Sequence, residues 1–203
     1  MRLATCAAAA LAFFAADPAF AEAVSKDPTQ APSGTYTVNE NHTEVLFSIM
    51  HLGLTAVHGR FNTTSGTLTF DSKQPERSAV SITIAATSID TPVERLSNGL
   101  KTVFRVQQYP TAIFKSVSIT RTGPDTGRLS GLLTIRDVAK PVLLDVTFNG
   151  GAKTPMSSTY SLGFHATGTI RRSDFDLNHM FWSGFVADEV QLTIDAEFDE
   201  QKS

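Results

Sequence analysis

VLFSIMHLGLTAVHGRFNTTSGTLTFD, residues Val45 to Asp71, decides the fold. Val45, Phe47 and Ile49 fall on one side of a pleat, the period-2 pattern of a strand with one apolar face. Met50 to Leu54 interrupts the alternation. Val57, Gly59 and Phe61 resume it, and Gly66, Leu68 and Phe70 carry it to Asp71. The run from Val57 to Asp71 is much longer than a usual strand of about 5–6 residues. Gly59 and Gly66 among β-formers predict bends along it. A closed barrel requires long, bent, alternating strands of this kind.

The flanking sequence repeats the theme. Thr35 to Val38 reads as a short strand and Asn39 to Asn41 as a turn. Val80, Ile82 and Ile84 alternate in a strand that runs to about Ile89. Thr91-Pro92 starts a helix, with Thr91 as cap, and Val93, Leu96, Leu100, Val103 and Phe104 recur at helical spacing. Gly99 weakens that helix, so one irregular segment over 92–108 is expected, its stripe lying on the barrel or plugging one end. Beyond Tyr109-Pro110 the chain is β again. Strands at 112–121, 129–135, 142–148, 160–171 and 190–198 are separated by turns at 123–127 and 137–141 and by loops at 149–157 and 173–187. No strand alternates with a helix and nothing repeats, so the chain is all-β and mostly antiparallel. A sandwich stays open on pattern alone; the long glycine-bent strand and the single helix favour a barrel.

Residues 1–21 have the order of a signal peptide: Arg2, an apolar run from Leu3 to Ala16, then Ala19-Phe20-Ala21. Cleavage is expected between Ala21 and Glu22, giving a periplasmic protein with no transmembrane segment after processing. Asp17 and Pro18 stop the apolar run far short of a spanning helix. Residues 22–33 read as a flexible segment and 34–199 as the barrel domain. Loss of residues 1–21 removes Arg2 and Asp17, so the net charge of −3 is unchanged, and it removes Cys6, the single cysteine. No disulfide or cysteine chemistry then remains. The mildly acidic balance has no basic stripe, which argues against nucleic acid or an anionic membrane surface as a partner. Of 14 Phe, three lie in residues 1–21, leaving 11 against three Tyr and one Trp. Phe needs no hydrogen-bond partner, so an apolar interior is well supplied.

His42-x-x-Val45-x-Phe47-x-Ile49-x-His51-Leu52-Gly53, Val57-x-Gly59-x-Phe61 and Ser88-Ile89-Asp90-Thr91 together resemble the YceI-like, polyisoprenoid-binding, lipocalin-like family. So do Tyr109-Pro110-x-x-x-Phe114-x-Ser116, Gly131-x-Leu133-Thr134-Ile135, Lys140-Pro141-Val142-x-Leu144 and Arg172-Ser173-Asp174-Phe175, in family order. The resemblance implies an eight-stranded antiparallel lipocalin-like barrel with one short helical segment. It also implies an elongated cavity for a long-chain isoprenoid or fatty-chain amphiphile, a periplasmic location and, in many members, a homodimer. One region departs: where members commonly carry Arg-Asp-x-His-Leu and Phe-Phe-Asp-Val, this chain has Arg95-Leu96-Ser97-Asn98-Gly99-Leu100 and Val103-Phe104-Arg105-Val106.

Phe47, Ile49, Phe61, Leu68, Ile82 and Ile84 are the first expected cavity residues. Leu133, Val146, Phe164 and Leu192 follow from later strands, and Gly59, Gly66, Gly131 and Gly168 are expected to leave room beside them. His51, at the break in the first strand, either orders the turn or meets a ligand head group. Trp182 belongs to an apolar loop, Asn178 to Phe185, expected either to fold back and cap the barrel or to form a movable lip at the pocket mouth or a dimer contact. No cofactor is expected and no enzyme: Gly-x-Ser-x-Gly and Ser-x-x-Lys are absent. The five histidines show no tight ligand spacing, so a histidine-dependent metal protein is a lesser alternative. The other is a structural or stress-related interaction barrel without bound lipid.

Overall fold

The computed structural model describes residues 24–153, 159–178 and 184–201. The expected signal peptide, its cleavage site and Trp182 lie outside the described residues. Strand β1 (Gly34–Val38) and strand β2 (Glu44–His51) are separated by a 3-10 turn at Glu40–His42. They are followed by β3 (Thr55–Phe61), β4 (Thr64–Phe70), β5 (Ala79–Ala85), β6 (Ile89–Asp90) and the helix α1 (Glu94–Val103). The remaining strands are β7 (Thr111–Arg121), β8 (Thr126–Ile135), β9 (Val138–Lys153), β10 (Tyr160–Arg171) and β11 (Val186–Glu200).

Pairing shows that the first six strands are halves of three. Tyr36 in β1 faces Leu68 in β4, and Val45 in β2 faces Phe61 in β3. Thr64 in β4 faces Ile84 in β5, and Phe61 in β3 faces Ile89 in β6. Strands β7 to β11 follow as a meander, and β11 closes the ring on both β1 (Val38↔Phe198) and β2 (Val45↔Ile194). The result is a closed eight-stranded antiparallel barrel with one helix, as expected. The short strand at Thr35–Val38 is continuous with its successor.

The breaks do not fall where glycine predicted them. They lie side by side on three neighbouring strands: at 39–43, at Asn62-Thr63 and at 86–88. Asn, Thr and Ser supply alternative hydrogen bonds there. Thr63 N donates to Ser88 Oγ (3.1 Å), Asn62 N to Ser88 O (3.2 Å) and Asn39 N to Glu197 O (2.8 Å). Gly66 has φ +152°, and a Cβ there would run into the Ser81 carbonyl, so it marks a close backbone approach.

Three other boundaries shift for physical reasons. The helix is shorter than 92–108 because Arg105, at φ +50°, closes it with a Schellman turn: Val106 N donates to Lys101 O (3.2 Å) and Arg105 N to Thr102 O (3.0 Å). Val93, not Thr91, is the cap residue; the Thr91 hydroxyl instead meets Ser97 Oγ (3.0 Å), tying the first turn down. The turn expected at 137–141 contracts to Arg136-Asp137, and β9 runs on through Asn149 to Lys153 where a loop was expected. Pro141 is tolerated because it faces Leu132 of β8 while β10 reaches β9 only from Leu144 onward.

One barrel end carries the 71–78 and 122–125 connections and is packed by Tyr36, Leu68, Phe70, Phe148, Leu162 and Phe198. Tyr36 is fully buried; its hydroxyl donates to Pro32 O at 2.7 Å, and burial pushes its pKa well above the ordinary tyrosine value. The polar stretch after Val24 lies against this end. Ser25 and Gly151 exchange backbone hydrogen bonds (3.0 and 2.8 Å), Asp27 caps a turn at Pro28–Gln30, and Pro28 and Ala31 are buried. The opposite end carries the β2–β3 turn, α1, the β8–β9 turn and the segment between β10 and β11.

Candidate functional site: an apolar barrel cavity

Inward side chains do not fill the barrel. They surround a cavity of about 920 Å³ that runs between the two ends. Val45, Phe47, Ile49 and His51 all line it, so the parity of β2 holds to its last residue and His51 faces inward. From the neighbouring strands come Phe61, Leu68, Ile82 and Ile84, and from the far wall Leu133, Val146, Phe164 and Leu192. Eleven of the twelve residues chosen from the sequence therefore lie on one wall surface; Trp182 is the exception, outside the described residues. Thr64 adds to that wall a buried hydroxyl with no hydrogen-bond partner among the described residues.

The helix is part of the site. Val93, Leu96, Leu100, Val103 and Phe104 all line the cavity, so the stripe read at helical spacing roofs the barrel. Phe104 packs edge-on against Phe61 (5.9 Å), and Phe61 against Phe47 (5.8 Å), joining helix and wall through three rings. Sequence reasoning missed Val57, Ile89, Phe114, Val142, Leu144 and Ile194, which also face the cavity. Val57 and Leu144 sat in visible alternations, so the period-2 signal could have found them. Ile89 follows a 3-10 turn that resets parity, and nothing in the local pattern marks it.

The glycines do not create the space. A Cβ at Gly59 would collide with the Phe47 ring, one at Gly131 with the Phe114 ring and one at Gly168 with Leu144. Larger neighbours lie across each glycine, so the room is occupied by rings and Leu144 rather than left to a ligand.

Charge on the lining is confined to the ends. At the packed end Arg128 pairs with Asp145 (3.1 Å), and Arg121 donates to the Pro124 carbonyl (3.0 Å) near Asp125. At the helix end the charged or titratable lining residues are His51, Arg95 and Arg172, with no carboxylate among them. The Arg172 guanidinium donates to the carbonyls of Ala187, Val186 and Leu177 (2.9–3.4 Å) and to Asn178 Oδ1. Next to it, the Ser173 hydroxyl and amide hold the Asp188 carboxyl below the usual carboxylate range, helped by Arg172 and Arg171. His42 pairs with Glu197 (3.5 Å) and His165 with Asp195 (2.8 Å). No group of three or more His, Asp or Glu among the described residues is arranged to hold a metal.

The sequence profile of the YceI-like domain matches residues 36–198, the whole ring from β1 to β11. The chain belongs to the YceI-like family. A UPF0312 protein of Ectopseudomonas mendocina is 33% identical over 172 residues, covering 83% of this chain and 88% of the relative. The YceI protein of Campylobacter jejuni is 28% identical with a TM-score of 0.65, over 75% of this chain and 90% of that one. Burkholderia cenocepacia BcnA superposes with a TM-score of 0.71 at 24% identity, over 79% and 98% of the two chains. A polyisoprenoid-binding domain from Saccharophagus degradans gives 0.62 at 14% identity, over 82% and 98%. These last two share the YceI-like fold with this barrel.

Proposed function

We propose that this YceI-like barrel is a non-catalytic binding or carrier protein of the periplasm that holds a long-chain isoprenoid or similar apolar amphiphile. The cavity carries the reading: about 920 Å³ of almost wholly apolar space inside a closed barrel. At about 30 Å³ per water-sized group this is room for roughly 30 of them, the scale of one long chain and above the needs of a small polar metabolite. Burial of each methylene contributes about 0.8 kcal/mol, so such a wall retains a chain without any reactive group. The Saccharophagus degradans domain of the same fold is described as polyisoprenoid-binding, which supports the same ligand class here. The order of features in residues 1–21 supports export, and no helix among the described residues is long and apolar enough to cross a membrane.

Extraction of detergent-free purified protein with organic solvent, followed by mass spectrometry, tests the proposal. A chain-like lipid in near-stoichiometric yield is expected. Protein that yields none, and that takes up none of a series of isoprenoid alcohols and fatty acids, would favour the interaction barrel instead.

A further inference from the structure

We propose that the helix end of the barrel is a docking face for an anionic lipid bilayer, through which the chain passes into the cavity. The inference rests on the carrier reading and adds to it the surface that supplies the cargo.

Five large apolar side chains are exposed at this one end: Leu54 (78%), Val93 (57%), Phe185 (53%), Leu52 (52%) and Met50 (42%). They are held there by backbone, not by chance rotamers. Leu52 (φ +52°) and Gly53 (φ +67°) form the tight β2–β3 turn, and Leu54 N donates to His51 O at 2.9 Å. Leu52 N donates to Phe185 O at 2.8 Å, which locks the second prong beside the first. An apolar cluster fixed outward in water is unfavourable unless something apolar receives it.

The occupant follows from continuity and charge. His51, Val93 and Val186 line the cavity, while Leu52 and Phe185 are the next residues outward, so one apolar surface runs from the barrel interior over its rim. A chain leaving the cavity through water would expose its methylenes, each slowing the step by roughly fourfold. Contact between rim and bilayer removes that barrier. The cavity's charged lining at this end is Arg95 and Arg172 beside His51, free of carboxylates. Arg172 donates its hydrogen bonds to neutral oxygens and lies near the Asp188 carboxylate that Ser173 engages, while exposed Arg95 has no hydrogen-bond or ion-pair partner among the described residues. The chain's balance is acidic overall, but at this mouth apolar prongs stand beside cations that line the cavity, which matches the interface of a bilayer with anionic headgroups. A protein partner with an apolar pocket would not need the cations.

The test is flotation of the full mature protein with vesicles of phosphatidylethanolamine and phosphatidylglycerol, against vesicles of phosphatidylcholine alone. Binding to the anionic vesicles, weakened by salt, is expected. Leu52→Asp with Leu54→Asp should weaken it by roughly tenfold or more. Aspartate tolerates the left-handed backbone at position 52, so the fold should survive, as circular dichroism will show. Val117→Asp with Leu143→Asp is the control: both are exposed (74% and 52%) on the outer barrel wall, and binding should not change. Equal binding by the turn variant, equal loss in the control, or no binding by the wild type would each overturn the proposal. So would a turn variant that only alters molar mass by light scattering, which would assign the face to a second copy. Extraction of the same wild-type sample separates the two readings: no lipid with intact vesicle binding removes the cargo and leaves the docking face.

Discussion

Ala166→Phe tests whether the cavity is the measure of the cargo. Ala166 sits on β10 between Val146 and Ile194, all three on the cavity wall, and is 8% exposed. With room for roughly 30 chain atoms, and about 0.3 kcal/mol per atom for a ligand of that size, a filling chain should bind with about 9 kcal/mol, a sub-micromolar Kd. A phenyl ring at 166 displaces about six of those atoms, or about 2 kcal/mol, which is roughly thirtyfold in Kd. The loss should depend on length. Isoprenoid alcohols long enough to fill the wild-type cavity should lose the full amount, while those shorter by two isoprene units or more should bind as before. Displacement of a fluorescent fatty-chain probe, run as a chain-length series on both proteins, reads this directly. A thermal unfolding curve on each checks that the larger side chain has not cost more than the usual 1–3 kcal/mol of overpacking. A loss equal at every length, or no loss at any length, would refute the reasoning, because the ring would then block an entrance or face away from the bound chain.

Phe61→Arg, which replaces the ring between Phe47 and Phe104 with a charge, should abolish retention of a long chain in protein that still folds; co-purifying lipid measured by extraction checks it. Gly131→Val should destabilise by about 2 kcal/mol or more, since its Cβ would meet the Phe114 ring and lie 2.8 Å from the Lys115 carbonyl; urea unfolding gives the number. Asp188→Asn should lower the melting temperature at neutral pH. Because the folded carboxyl titrates below its unfolded value of about 3.9, the Asp188 contribution is present above that pH and fades as pH falls through the depressed value, so wild type and variant should converge in acid.

Alternation carried most of the barrel. The parity of Val45, Phe47 and Ile49 persists through His51, and the strands from β7 to β11 appear close to their expected places because their hydrophobic faces are unbroken. What stayed hidden were features set by neighbours rather than by local pattern. The three strand breaks are aligned across the sheet, and Asn62-Thr63 reads as a break only once Ser88 stands opposite it. Gly59 and Gly131 looked like open space because a sequence does not show that Phe47 and Phe114 lie across them. The helical stripe was visible with two places open to it, on the barrel or plugging one end, and α1 lining the cavity at the barrel end decides for the second. Arg95 carried no signal at all: an exposed cation on a short helix acquires meaning only from its place on the cavity lining, which has no carboxylate at this end.

The pinning of Ser25 to Gly151 has a consequence for how the molecule can be attached to anything else. Val24 leaves the barrel from the packed end, and Gln201, whose amide donates to the Thr35 carbonyl at 2.9 Å, leaves from the same end. The barrel therefore has a handle at one pole, where both described chain ends leave it, and the helix end at the other. A fused domain, an affinity tag or a covalent link to a solid support on the handle side leaves the helix end pointing outward. Evolution has the same freedom as the engineer: segments can be appended at the handle without standing between the cavity and whatever it serves.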